Sequence, residues 1–300
     1  GIESLAVCLL HSYANPVHEK MIQEIAQNDL GVSVSISSKL LPTIKEYERA
    51  STTVVDAYIK PVVEKYLDKL EKGLSERGFR GNSYIMTCSG GLVEPRVAKA
   101  YPVRLLESGP AAGVLVSRYI GKAVALDNIL AFDMGGTTAK GCFVVGGVAE
   151  KTEEFEIARV HRMTAGSGLP IKSPSIRLIE IGGGGGSIVQ VNETGVIHVG
   201  PNSAGADPGP ACYGLGGMHP TVTDANLLLG YLNPNYFLGG GLQLYPEKSV
   251  EAFSKFVCKQ MGIDATEAAW GAHENVNENM GSAFRLHAAE RGIDYRDFAL

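Results

Sequence analysis

The sequence predicts an α/β fold, and two patterns carry that prediction. Near the start, an apolar strand over 2–10 is followed by a helix to about residue 27 and then by the alternating strand Val32–Ile36. This β-α-β order is the unit of a sheet covered by helices. Further along, two apolar runs are interrupted by glycines at Gly135-Gly136 and at 182–186, which predicts two strand-turn-strand units.

Composition and charge restrict the possible functions. The 300 residues are 45% hydrophobic and 20% charged, enough for one large domain or two ordinary ones. A net charge of -5 gives no electrostatic support for a nucleic-acid partner. Five scattered cysteines lack C-x-x-C spacing, so we expect small buried hydrophobes rather than disulfides or a zinc site. With no membrane span and no signal peptide visible, we expect a cytoplasmic protein.

The longest helical pattern covers 45–74, where apolar residues recur every three or four positions. This apolar stripe comprises Val54, Val55, Tyr58, Ile59, Val62, Val63, Tyr66, Leu67, Leu70 and Leu74. Charges on the opposite face, including Lys60 and Glu64, are expected to be solvated. Pro61 is expected to bend the helix or interrupt its hydrogen bonding. At the helix start, Glu46, Glu48 and Arg49 are interpreted as first-turn charges, and a role in a site is the alternative.

Capping patterns predict helices in the second half as well as the first. Ser108 is a candidate N-cap for a helix to about residue 120, and Thr223 for another. Asp224 then falls in a first helical turn, where the helix dipole alone explains a carboxylate. The proline- and glycine-rich run 201–210, whose one charge is Asp207, is expected to be a loop. Two or three amphipathic helices follow up to about residue 291, and His161 is expected to be an ordinary loop residue.

The first glycine turn has the residue types of a phosphate-binding turn. Asp133 precedes it, Gly135 and Gly136 form it, and Thr137 and Thr138 follow. Glycines let a backbone approach an anion, and successive N–H groups form an anion-binding concavity. A neighbouring carboxylate suits a divalent cation that bridges to phosphate. An ordinary hairpin with an aspartate at the strand end is the alternative.

The second turn, Gly182–Ser187, differs from the common nucleotide motifs. Ser187 stands where G-x-G-x-x-G requires its third glycine, and a strand rather than a helix follows. The chain also lacks a P-loop, G-x-S-x-G and H-E-x-x-H, so serine-hydrolase and zinc-protease functions have no support. A flexible linker is the alternative, although linkers are seldom flanked by tight apolar strands.

Eight segments, taken together, carry a resemblance to a known family. They are LLHSYANPVHE (9–19), EYERASTTVVDAYIKP (46–61), LLESGPAAGV (105–114), FDMGGTTAK (132–140), IGGGGGSI (181–188), GPNSAGADPGPACYG (200–214), TVTDANLLLGYL (221–232) and ERGIDYRDFAL (290–300). In this order they resemble the ATP-dependent hydantoinase/5-oxoprolinase family, which also holds the ATP-using subunits of acetone and acetophenone carboxylases.

The resemblance implies an actin-like, sugar-kinase-like (ribonuclease H-like) ATPase fold, incomplete at both ends. Residues 1–125 would be the end of a first α/β lobe with a long connecting helix and strand. Residues 126–300 would be a truncated second lobe carrying the glycine-rich phosphate loops. Because family members continue at both ends, we expect this chain alone to bind ATP weakly or not at all.

The resemblance also implies site residues for ATP and Mg²⁺. Residues with catalytic roles would be Asp133, Thr137, Thr138, Asp207 and Asp224, and Asp133 would hold the metal. Nucleotide-binding residues would be Asp133, Gly135, Gly136, Thr137, Thr138, Gly183, Gly184, Gly185, Gly186 and Ser187. Many members carry an aspartate where this chain has Lys140, which could contact phosphate or point to solvent.

The expected function is ATP-dependent ring opening of a cyclic amide, such as a hydantoin or 5-oxoproline, through carbonyl phosphorylation. One alternative is the ATP-using subunit of a ketone carboxylase, and another is a non-catalytic actin-like scaffold. We further expect an oligomer, with a companion hydantoinase B-type subunit as a partner.

Overall fold

The computed structural model describes residues 1–158 and 166–300, which form the mixed α/β fold that the sequence predicts. His161 lies outside the described residues. The helices are α1 (Val17–Asp29), α2 (Ser37–Leu40), α3 (Glu46–Glu76), α4 (Pro95–Ala100), α5 (Ser108–Ala123), α6 (Val222–Leu228), α7 (Pro246–Phe253), α8 (Lys259–Met261) and α9 (Ala265–Glu290). Within the described ranges, no helix combines the length and the apolar character needed to cross a membrane.

The strands are mostly short and form several small sheets. They are β1 (Ser4–Val7), β2 (Ser33–Ile36), β3 (Ile85–Met86), β4 (Leu92–Val93), β5 (Ile129–Met134), β6 (Ala139–Val145), β7 (Val148–Ala149), β8 (Lys151–Ile157), β9 (Leu169–Ile176), β10 (Ile179–Ile181), β11 (Ser187–Val191) and β12 (Ile197–Ser203).

The chain divides into two compact units. The first comprises Gly1–Asp127 and Phe143–Arg177, and the second comprises Asn128–Cys142 and Leu178–Leu300. The sequence-based division at residue 125 assigned 143–177 to the second lobe, whereas the contacts of these residues group them with the first unit.

The first unit contains the predicted β-α-β element. Strands β1 and β2 are parallel, with Ser4 opposite Ser33. Helices α1 and α3 pack on this pair. Val7, Ala26 and Val34 are part of the buried cluster between them. The β8–β9 hairpin also packs on α3, where the Lys172 amide donates to the Thr52 hydroxyl at 3.0 Å.

Helix α3 runs without interruption through Pro61, but its buried face is not the predicted one. Val54 and Tyr58 of the apolar stripe are 56% and 81% exposed, whereas Asp56 and Lys60 are 1% and 8% exposed. The prediction that Lys60 is solvated is therefore wrong. The Lys60 ammonium donates to the Ala100 carbonyl at 3.0 Å, which offsets part of the cost of its burial.

Arg49 is also buried rather than exposed. Its guanidinium donates to the Leu9 carbonyl at 2.8 Å and to the Thr43 carbonyl at 3.2 Å. It also lies over the Tyr13 ring, 5.4 Å from the ring centroid. The interpretation of Arg49 as a first-turn surface charge is wrong, because the side chain ties the start of α3 to the loop after β1.

The second unit is built from β5, the first four residues of β6 (139–142), β10, the β11–β12 hairpin, and the helices from α6 onward. Strand β6 lies between β10 and β5. Helix α9 packs against α6 and β12. Cys212, Leu227 and Leu244 form a buried cluster. Cys212 is one of three buried cysteines, Cys8 and Cys258 are partly exposed, and all five are free thiols.

Two predicted helix starts are displaced. Ser108 is the first residue of α5, and Glu107 is its N-cap. For α6 the N-cap is Thr221 and not Thr223, because the Thr221 side chain forms a capping box with Asp224. The T-x-x-D pattern at 221–224 carried this signal in the sequence.

Candidate functional site

The turn between β5 and β6 exposes backbone donors. The Gly135 amide closes the turn by donating to the Thr138 carbonyl at 2.9 Å. The amides of Gly136, Thr137 and Thr138 have no acceptor among the described residues. Gly136 and Thr137 are exposed. Three successive donors of this kind form a concavity that suits an anion.

Asp133, near the end of β5, is exposed. In the part of the chain that the structure describes, its carboxylate has neither a hydrogen-bond nor an ion-pair partner. The hydroxyls of Thr137 and Thr138 likewise have no described partner. The first turn therefore brings together one uncommitted carboxylate, two uncommitted hydroxyls and free amides.

The second glycine turn is committed to internal hydrogen bonds. The Gly184 amide donates to the Ser187 hydroxyl at 2.9 Å, and the Ser187 amide donates to the Gly184 carbonyl at 3.0 Å. The Gly185 and Gly186 amides donate to the carbonyls of Gly135 and Gly136, at 3.0 and 2.6 Å. The amides of residues 184–187 are already used, so these residues hold the first turn in place rather than offering amide donors.

The absence of side chains makes this contact between the two turns possible. A Cβ atom on Gly184 would lie 2.6 Å from the carbonyl carbon of Thr137 and 2.7 Å from that of Gly136. Backbone atoms of a closed turn cannot yield at such distances. Gly184 therefore provides close approach between two main chains.

Helix α6 secures the second turn from its other side. The Thr223 amide and hydroxyl both donate to the Gly185 carbonyl, each at 2.8 Å. The Ala204 amide donates to the Gly186 carbonyl at 2.8 Å. Sequence reasoning missed Thr223 as a clamp, because nothing in the local pattern shows that its partner lies 38 residues earlier.

Asp224 is a structural hub within the second unit. It is fully buried, and its carboxylate accepts five hydrogen bonds, at 2.7 to 3.2 Å. The donors are the amides of Ala211, Cys212 and Thr221 and the hydroxyls of Thr221 and Ser249. This geometry gives Asp224 the task of positioning α6 and the loop before it, and its catalytic role stays a prediction.

Asp224 also influences the neighbouring thiol of Cys212. Burial raises the pKa of Cys212, and the nearby Asp224 carboxylate raises it further. A thiol with a raised pKa carries little thiolate, the reactive form. Cys212 therefore has the character of a packing residue and not of a nucleophile.

Asp207 differs from Asp224 in its burial and in its hydrogen bonding. It is exposed, lies in a turn after β12, and makes no hydrogen bond or ion pair within the described ranges. Its role near a cleft remains a prediction.

Comparison with known proteins identifies the family. The hydantoinase/oxoprolinase model matches residues 49–300, and the model of the hydantoinase/oxoprolinase N-terminal region matches residues 1–30. This chain belongs to the hydantoinase/oxoprolinase family. The resemblance inferred from the sequence motifs is confirmed.

Individual relatives cover nearly all of this family member. It is 43% identical to an uncharacterized protein of Methanocaldococcus jannaschii, over 99% of this chain and 44% of that protein. It is 35% identical to caprolactamase subunit alpha of Pseudomonas jessenii, over 100% of this chain and 42% of that protein. The nucleotide-free structure of acetone carboxylase superposes with a TM-score of 0.85 and 27% identity, over 99% of this chain and 41% of that one. The chain thus spans less than half the length of the curated relatives it matches.

Lys140, the departure from the family pattern, has a structural partner. It lies opposite Glu180 in the β6–β10 pairing, and its ammonium is 3.7 Å from the Glu180 carboxylate. The sequence-based alternatives for Lys140 were a contact to phosphate and a solvent-facing side chain. The observed cross-strand pair with Glu180 matches neither of them.

The donor set of the first turn is compatible with Mg²⁺ bound together with phosphate. Within residues 1–158 and 166–300, no group of three or more His, Cys, Asp and Glu side chains could hold a metal by itself. Mg²⁺, however, commonly keeps several waters and uses one or two carboxylates plus substrate phosphates. The uncommitted Asp133 carboxylate fits that mode of binding.

Proposed function

We propose that the β5–β6 turn binds the phosphates of ATP in a protein that activates a cyclic amide for ring opening. The observation that carries the proposal is the exposed donor set of Gly136, Thr137 and Thr138 beside the unpartnered Asp133. The names of two relatives agree with it: caprolactamase acts on a lactam, and acetone carboxylation is described as ATP-dependent.

Each group of the turn has a task in this proposal. The free amides and the threonine hydroxyls donate to phosphate oxygens, and Asp133 holds Mg²⁺ directly or through water. When bound, the metal neutralises charge on the transferring phosphoryl group. The second turn fixes the first through the Gly135 and Gly136 carbonyls, so the donors are already in place before ATP binds.

Phosphorylation would overcome the low reactivity of the substrate amide. An amide is a poor electrophile because resonance stabilises its C–N bond. Transfer of a phosphoryl group to the carbonyl oxygen converts the amide into a better electrophile for water. Since phosphoryl transfer needs mainly positioning and charge stabilisation, a rigid turn of amides can supply much of what the protein contributes.

The test is ATP hydrolysis by the protein over its full natural length, with Asp133→Asn compared with the unchanged protein. We expect turnover to fall about 10²-fold or more while circular dichroism and Tm stay the same, because Asp133 is exposed. The variant Glu193→Gln, also exposed and without a hydrogen-bond or ion-pair partner among the described residues, is the control for removing a surface charge. Full turnover in Asp133→Asn would disprove the proposed role of the carboxylate.

A ketone carboxylase subunit is the second candidate, favoured by the TM-score of 0.85 with acetone carboxylase. Both chemistries use the same turns, so substrate-dependent turnover has to separate them. We expect ATP hydrolysis to rise with a hydantoin, 5-oxoproline or caprolactam. A rise with acetone plus bicarbonate instead would favour the carboxylase, and no Mg-ATP binding by calorimetry would favour the scaffold.

The partner subunit and the location in the cell are further proposals. The caprolactamase relative is a subunit alpha, which supports a companion chain, and we propose a hydantoinase B-type subunit in a cytoplasmic oligomer. Copurification of the full-length protein with that subunit, followed by mass determination, tests the assembly.

A further inference from the structure

The first unit holds a pocket that the proposed ATP chemistry does not use. Its volume is about 340 Å³, within the range of small-molecule sites. Strand β2 contributes Val34, Ser35 and Ile36, and helices α1, α3 and α4 contribute the surrounding side chains. Both glycine turns belong to the second unit, so this pocket has its own set of residues.

Lys60 is the feature of this pocket that most needs explanation. The residue is 8% exposed and lines the pocket. Of its three N–H donors, one is used by the Ala100 carbonyl at 3.0 Å. No carboxylate lies within ion-pair distance of Lys60 among the described residues. A buried ammonium with two unused donors and no direct ion pair can bind an anionic group that enters the pocket.

The two acidic residues of the pocket are committed elsewhere. Asp56 accepts from the Ser35 hydroxyl at 2.6 Å and from the Val103 amide at 3.0 Å. Burial raises the pKa of Asp56, and its hydrogen bonds and the nearby Lys60 charge lower it in part. Glu64 accepts from the Ser33 hydroxyl at 2.8 Å. Among the described residues, neither carboxylate forms a direct ion pair with Lys60.

Other pocket groups favour a ligand that is part charged and part apolar. Lys39 is exposed, and its ammonium donates to the Gln23 side chain at 2.8 Å. Ile36, Leu40 and Tyr101 supply apolar surface to the same pocket. A fully ionic ligand such as phosphate would leave this apolar surface without a matching group.

We propose that the pocket binds a small organic carboxylate, whose charged group pairs with Lys60 and whose apolar stem contacts Ile36 and Leu40. Lys39 supplies a second cation at the same pocket. The ligand class follows from one buried ammonium, which has no direct ion pair among the described residues, beside apolar walls. This site is independent of ATP binding and can exist whether or not the proposed function holds.

The experiment is isothermal titration of the full-length protein with hexanoate, with inorganic phosphate and with the neutral analogue hexanol, at constant ionic strength. We expect saturable one-to-one binding of hexanoate, and no saturable binding of the other two. In Lys60→Met, which keeps the length of the side chain, the affinity should fall about tenfold or more, because a charge-assisted hydrogen bond is lost. The control is Lys65→Met, an exposed lysine on the same helix, which should bind as the unchanged protein does.

Each outcome decides the proposal. Should Lys60→Met fail to fold by circular dichroism, Lys39→Met replaces it, since Lys39 is exposed, and an affinity loss there of a few fold is expected. Phosphate binding that Lys60→Met abolishes would replace the carboxylate with an inorganic anion and overturn the ligand class. Absence of saturable hexanoate binding, or equal losses in Lys60→Met and Lys65→Met, would overturn the site itself.

Discussion

The two glycine turns of the second unit resemble each other in sequence and differ in physical task. At Gly136, an added Cβ would meet no atom within 4 Å, whereas at Gly184 it would meet the Thr137 main chain at 2.6 Å. In the first turn the amides of Gly136, Thr137 and Thr138 are free among the described residues, whereas in the second the amides of 184–187 are engaged. One turn offers donors, and the other supplies the surface on which those donors are held.

This difference changes the reason for the glycines. Access to positive φ angles is one common reason for glycine in a turn. None of the glycines at 135–136 or 182–186 has a positive φ. In the second turn, glycine is required because two backbones approach each other closely. Only in that turn would an added Cβ collide with main-chain atoms of the other turn.

The largest expected effect comes from Asp224, which supports the second turn through the start of α6. Replacement Asp224→Ala leaves five hydrogen-bond donors without their acceptor. We expect a loss of about 3 kcal/mol or more in the free energy of unfolding, because unsatisfied buried donors are costly. Urea denaturation measures it.

Asp207→Ala is the matched control for that prediction, because Asp207 is exposed and unpartnered within the described residues. Its change in unfolding free energy should stay within about 0.5 kcal/mol. Equal stability of the two variants would contradict the structural role assigned to Asp224.

The next effect compares the turns directly. Gly184→Ala should cost about 1–3 kcal/mol or more, because the new methyl group overlaps the Thr137 and Gly136 main chain. Gly136→Ala should change the unfolding free energy by less than about 1 kcal/mol, since its Cβ enters open space. Thermal unfolding of both variants tests this, and a Gly184→Ala protein as stable as Gly136→Ala would refute the close contact between the turns.

How much the sequence could predict also differs between the turns. Strand, glycine turn and strand were visible at both places, because β-branched runs and glycines act locally. The hydrogen bonds from Gly185 and Gly186 to the first turn were not visible, because they join segments about 50 residues apart. Both turns were therefore predicted to contact phosphate. No local pattern indicates that the second turn donates its amides to carbonyls of the first.

Helix α3 shows a second limit of sequence reasoning. Its apolar residues come in adjacent pairs such as Val54-Val55, so the period alone does not decide which member is buried. Val55 is 6% exposed and Val54 is 56% exposed. The polar partners of Asp56 and Lys60, which come from β2 and from α4 and the residues after it, decide the buried face, and no pattern within the helix contains them.

A smaller loss of stability is expected at the hydrogen-bonded contact between α6 and the second turn. Thr223→Val removes the hydroxyl that donates to the Gly185 carbonyl at 2.8 Å, while the Thr223 amide still donates to it. We expect a loss of about 1 kcal/mol, the net value of one hydrogen bond. Thr137→Val, in the exposed turn, should leave stability within about 0.5 kcal/mol and instead raise KM for ATP. The reverse pattern would exchange the tasks of the two turns.

The smallest expected effect concerns Lys140, whose ion pair with Glu180 lies beside the first turn. Lys140→Glu places two carboxylates opposite each other on β6 and β10 and should cost about 0.2–1 kcal/mol. Adding Glu180→Lys restores the pair in reverse and should recover most of that loss, as a double-mutant cycle in urea would measure. If Lys140 contacted phosphate instead, the doubly changed protein would regain its stability but not its ATP turnover. Recovery of both quantities would show that this departure from the family pattern serves the sheet and is compatible with ATP turnover.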